Sequence, residues 1–71
     1  MNKVLVNLES AVNVKKFVVC AQTKNCRVEL RSDKWCVDGK SILGIFSLDL
    51  SKPIELYIED NDYELFKEFM I

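Results

Sequence analysis

The chain has 71 residues, 49% of them hydrophobic, with two glycines, one proline and a formal net charge of −1. That length allows one domain, residues 1–71, and the apolar content with so few breakers excludes a disordered chain. The acidic balance, with a pI near 5.3, argues against a nucleic-acid-binding surface, and no apolar run approaches the roughly 20 residues of a membrane span.

The first residues, Met1 to Glu9, are interrupted by polar side chains too early for a signal peptide, so the expected compartment is the cytoplasm. Lys3 to Leu8 alternates around Val4, Val6 and Leu8, the pattern of a strand with one buried face. From Ala11 to Gln22 the spacing turns helical. Val14, Phe17, Val18 and Ala21 share a face, while Lys15 and Lys16 fall opposite. Ser10 precedes this helix and is a capping residue type.

Lys24-Asn25 is a turn. Cys26, Val28 and Leu30 then alternate with Arg27, Glu29 and Arg31, giving the clearest strand pattern in the chain. Ser32-Asp33-Lys34 is a hairpin-length connection, and Trp35 and Val37 share one face of the returning strand. Asp38-Gly39 closes it. Ser41 opens a short helix in which Ile45 and Leu48 face a core, while Ile42, Leu43 and Phe46 form a second apolar group that one-sided packing does not need. Pro53 precedes a strand in which Ile54, Leu56 and Ile58 alternate with Glu55, Tyr57 and Glu59. Asp60-Asn61-Asp62 resembles a helix start, and Leu65, Phe66, Phe69 and Met70 form the apolar face of a closing helix.

The element order is therefore β-α-β-β-α-β-α. One apolar side per strand predicts an α+β fold with three helices on one face of a four-stranded, mainly antiparallel sheet. Charge is uneven along the chain: residues 1–41 carry a net +4 and residues 42–71 a net −5. The basic residues are scattered, which suits a solvated surface or an acidic protein partner better than nucleic acid. Cys20, Cys26 and Cys36 are expected as reduced, partly buried thiols. Without any histidine and without paired ligands, the cysteines do not form a metal site, and no cofactor is implied.

The run Lys40-Ser41-Ile42-Leu43-Gly44-Ile45-Phe46-Ser47-Leu48, continued through Asp49 to Ile58, resembles the regulatory serine segment of HPr, the small phosphocarrier of the bacterial sugar phosphotransferase system. The resemblance covers most of the chain and is specific in its middle. It implies the HPr open-faced β-sandwich with the strands in the order first, fourth, second, third. It also implies that Ser41 occupies the position phosphorylated by a dedicated kinase in some bacteria, and Gly44 that of the family glycine. The family's phosphoacceptor histidine falls on Ser10, its phosphate-stabilising arginine on Val12, and its helix-opening proline position on Asn13. The loop between Val6 and Ser10 is about three residues shorter than the family's.

With no histidine in the sequence, a phosphohistidine relay on these residues is impossible. A serine hydroxyl is a poor substitute without a positioned base, so no catalytic residue is assigned and the chain is not expected to be an enzyme. The expectation is a regulatory, protein-binding role like that of histidine-lacking HPr relatives such as catabolite-repression HPr. The docking residues would be Ile42, Leu43 and Phe46 with Lys15 and Val19, and Ser41 the switch. By resemblance the partners are a kinase, a transcriptional regulator or phosphotransferase-system enzymes, with the chain a monomer or weak homodimer. The alternatives are a pathway component phosphorylated at Ser10 or Ser41, or a structural module unrelated to sugar uptake.

Overall fold

A computed structural model describes residues 3–71. Strand β1 spans Lys3–Val6, helix α1 Ala11–Gln22, β2 Val28–Ser32, β3 Trp35–Asp38, helix α2 Ile42–Phe46 and β4 Ile54–Ile58. A closing 3-10 helix spans Glu64–Phe69. The four strands form one sheet in the order β1-β4-β2-β3, and all three pairings are antiparallel. The expected α+β architecture and strand order are therefore present.

The alternation of each strand sets which face is buried. Leu30 and Val28 in β2 stand beside Leu56 and Ile58 in β4, and all four are buried. Helix α1 lays Val14, Phe17, Val18 and Ala21 against them. The other face of the sheet is polar. Lys3 pairs with Glu55, Arg31 with Glu29, and the Arg31 guanidinium lies 4.4 Å from the Tyr57 ring centroid.

The centre of the core is aromatic. The Phe17 ring lies 4.9 Å from Phe66 and 5.6 Å from Phe69, centroid to centroid. Tilted and edge-on pairs of this kind add attraction beyond simple area burial. They hold the closing 3-10 helix on α1.

Several local expectations are corrected. The closing segment is a 3-10 helix, and only Phe66 and Phe69 of its four apolar residues are buried. Leu65 points outward, because three residues per turn cannot keep neighbouring positions on one face, and Met70 lies past the helix in extended backbone that bridges Val6. The closing helix begins at Glu64, just past the expected start at Asp60-Asn61-Asp62, and Asp62 Oδ1 accepts from the Glu64 amide at 3.2 Å; Asn61 adopts φ 57°, which asparagine tolerates. Strand β2 begins at Val28, so Cys26 lies in the preceding connection. Cys36 is exposed, unlike half-buried Cys20 and Cys26. At the hairpin, Asp33 adopts φ 54°.

The acidic turn has a second task. Lys24 is almost enclosed, with its ammonium 2.8 Å from Asp60 Oδ2 and 3.7 Å from Asp62 Oδ2. It also donates to the Asp62 carbonyl at 3.2 Å. The pair clamps the end of α1 to the connection after β4. Hydrogen bonding to Lys24 holds the Asp60 carboxyl below the usual carboxylate range, and the same bond raises Lys24.

Two outcomes test this account. A chain of this size has a total stability of about 4–10 kcal/mol, and Phe17→Ala should remove about 3–5 kcal/mol of it. Chemical denaturation should therefore find that variant marginal or unfolded. Because the Asp60 pKa is depressed on folding, the clamp contributes fully above the ordinary carboxylate range and is lost as pH falls through the folded value. Unfolding free energy should thus fall less steeply between about pH 5 and 2 in Asp60→Asn than in the parent; equal slopes would remove the clamp from the account.

Candidate functional site

Helix α2 has five residues and is capped by Ser41. Ser41 has extended backbone (φ −106°, ψ 111°), and its Oγ accepts from the Gly44 amide at 3.2 Å. This satisfies one of the amides that the first turn leaves without a helical partner. Gly44 has a packing reason to lack a side chain: a Cβ there would lie 3.3 Å from Ser41 Oγ and 3.4 Å from Val37 Cβ. Upstream, a Cβ on Gly39 would meet Val28 Cγ1 at 2.6 Å, so the turn into α2 also needs glycine.

One side of α2 enters the core. Ile45 is fully buried, and Ile42 is half-buried against the core cluster. The other side is bare: Leu43 is 81% and Phe46 45% exposed. Five residues cannot place all four apolar side chains on one stripe, so Leu43 is left largely, and Phe46 partly, uncovered by the described residues. Of the predicted group, α2 therefore presents Leu43 and Phe46, with Ile42 at the margin.

Helix α1 touches α2 and carries its own outward stripe. Val12 and Val19 are 60% and 64% exposed, and Lys15 and Lys16 between them are exposed too. Lys15 and Val19 thus stand on the surface as expected. Val12 is an addition to the predicted set; its position, three residues before Lys15 and seven before Val19, was the available signal.

Ser10 caps α1. Its Oγ accepts from the Asn13 amide at 3.1 Å, and its carbonyl accepts from Val14. The loop leading to it is pinned, with Leu8 fully buried and the Asn7 amide donating to the Phe69 carbonyl at 2.8 Å. Position 12 offers an exposed isopropyl group where an anion site would need a cation.

Lys40 behaves differently from its proximity to Ser41 in sequence. Its ammonium donates to the Lys24 carbonyl at 2.8 Å, at the end of α1. It is occupied with holding two elements together.

A groove of about 570 Å³ lies by the start of β2 and the end of β3, lined by Arg27 and Lys40 but also by Glu29, Asp38 and Glu59. Its mixed charges converge on no single ligand chemistry. Among the described residues no cluster of three metal-ligating side chains forms, and no helix is long and apolar enough to cross a membrane.

Among solved structures, the chain is similar to HPr-C-His from Thermoanaerobacter tengcongensis. The TM-score is 0.76 and the identity 28%, over 94% of this chain and 84% of that one. The fold is HPr-like. That identity over nearly the whole chain also supports a relationship to the HPr phosphocarrier family. No protein-family model matches the chain, and no curated protein matches it.

The Ser41 cap is directly testable. Ser41→Ala should cost about 1 kcal/mol in chemical denaturation, whereas Ser41→Asp, which restores an acceptor and adds favourable charge at the helix start, should cost less. Equal losses would mean that the Ser41 hydroxyl does something other than cap.

Proposed function

We propose that this HPr-like chain is a non-catalytic protein-binding module, with its docking surface on α2 and the outer stripe of α1. The observation that carries the reading is the exposure of Leu43 and Phe46 directly after the Ser41 cap. An apolar pair outside a small core, rimmed by polar residues, is the composition of a docking patch. Val12 and Val19 extend it, and Lys15 and Lys16 favour a partner with acidic residues around an apolar centre.

The missing imidazole supports binding over phosphoryl relay. The sequence has no histidine, and Ser10 uses its oxygen as a helix cap without a base to activate it. By resemblance, the partners are a kinase, a transcriptional regulator or phosphotransferase-system enzymes.

Ser41 is the proposed switch. A phosphate there would bring about −1.5 to −2 charges to the first-turn amides of α2, where such charge is favoured. The missing Cβ of Gly44 leaves room beside the oxygen. Lys40 would assist only after releasing the Lys24 carbonyl, so the switch would loosen the contact between α2 and the end of α1. Phosphorylation would then change both the charge of the patch and the setting of its helix.

The experiment is a pull-down with the parent chain, its Ser41-phosphorylated form and Phe46→Asp. The expected result is a partner whose capture depends on the phosphorylation state and falls at least tenfold with Phe46→Asp, the effect of losing about 1.4 kcal/mol. Capture indifferent to Phe46→Asp would reject the surface. Stable label from phosphoenolpyruvate appearing on the chain after incubation with the upstream phosphotransfer enzyme would reject the non-catalytic reading.

A further inference from the structure

The two edges of the sheet differ. The outer edge of β1 is closed by the C-terminal segment: Asn7 donates to the Phe69 carbonyl at 2.8 Å, Ile71 donates to the Leu5 carbonyl at 3.0 Å, and Val6 bridges Met70. No strand pairs with the outer edge of β3 among the described residues. Strand β3 contains no proline, and its register with β2 runs without a bulge.

The hydrogen-bonding phase of this edge follows from the register. Ser32 opposes Trp35, Leu30 opposes Val37, and Gly39 donates to the Val28 carbonyl at 2.8 Å. In an antiparallel ladder, bonded pairs alternate with non-bonded ones. Trp35, Val37 and Gly39 thus turn their main-chain groups toward β2, and Cys36 and Asp38 turn theirs outward. The Asp38 carbonyl already accepts from Ser41. Both groups of Cys36 and the amide of Asp38 remain on the free edge.

The strand is also complementary to itself. It reads Lys34-Trp35-Cys36-Val37-Asp38. We propose that two copies of this chain associate by antiparallel pairing of their β3 strands, centred on Cys36, making one continuous sheet across the dimer. In that register Lys34 faces the partner's Asp38, and Asp38 faces the partner's Lys34. Trp35 lies against the partner's Val37 on the helix side of the sheet. Only registers with an even shift match outward groups to outward groups. A shift of two residues in either direction sets Cys36 against a charged residue and leaves the remaining charges unmatched.

The proposal gives Trp35 a function. It is 69% exposed at the hairpin, on the same side of the sheet as Ser32, which it opposes. An aromatic residue opposite a β-branched one is a favourable cross-strand pair. The centred register satisfies both charges, covers the indole and uses the free backbone groups together. The association is isologous and closes on itself, so it yields a dimer and not a filament.

The sequence supplies its own reporters. Trp35 is the only tryptophan, and Cys36 would sit opposite its copy at a Cα separation of about 5.5 Å, inside the range a disulfide spans. The test uses the 71-residue chain with Cys20→Ser and Cys26→Ser. Under reducing conditions, light scattering and tryptophan emission are followed against protein concentration. Diamide is then added; its N=N bond takes the two electrons and two protons released as two Cys36 thiols join.

The expected result is a reversible monomer–dimer equilibrium, an emission blue shift in step with it, and a diamide-linked dimer. Lys34→Glu, an exposed turn substitution whose fold is checked by circular dichroism, should weaken association about tenfold by making both end pairs repulsive. It should slow cross-linking equally. A chain that stays monomeric at millimolar concentration would overturn the proposal. So would a dimer whose emission and cross-linking ignore Lys34→Glu.

Discussion

The structure depends on one apolar layer between a sheet face and the helices, organised around Phe17. Its ring packs on Phe66 and Phe69, and these contacts hold the closing 3-10 helix against α1. The same helix then places Phe69, Met70 and Ile71 along β1, where their backbones close that edge. A 71-residue chain buries only about 60% of the surface its unfolded form exposes. The layer therefore has a fixed capacity, and what it cannot cover becomes surface.

That limit explains the character of α2. Ile45 fills the layer and Ile42 reaches its margin, which leaves Leu43 and Phe46 outside. Helix α2 lies next to α1, whose outward stripe joins two valines and two lysines. Hydrophobic residues scattered singly on a surface need no explanation, but adjacent ones beside a capped helix start do. The fold is HPr-like, and the sequence has no histidine.

Much of this was legible in the sequence wherever a single periodicity governed. Ile54, Leu56 and Ile58 alternate cleanly and became the buried side of β4; Val14, Phe17, Val18 and Ala21 mapped the inner face of α1. The sheet order was not in the pattern and came from the resemblance to HPr. The errors fell where local signals were ambiguous. Asp62 does meet the first amide of the closing helix, but Asp60 and Asp62 also pair with Lys24, 36 and 38 residues away in the chain, which no local signal shows. The 3-10 character of the closing helix depends on tertiary fit and leaves no periodic mark. In the candidate site, both serine caps and the outward placement of Leu43 and Phe46 were readable, while Ile42 of the same predicted group packs against the core. The engagement of Lys40 with the Lys24 carbonyl was not readable, because it joins two element ends that only the fold brings together.

The central claim is that Leu43 and Phe46 are surplus to the fold and present for contact. Equilibrium unfolding of Leu43→Ser tests it most directly. Exposed positions free of special contacts tolerate substitution within about 0.5 kcal/mol, and the account predicts a loss in that range. A loss of about 2 kcal/mol or more, the scale of a buried leucine, would show that Leu43 belongs to the core and would contradict the docking surface built on it.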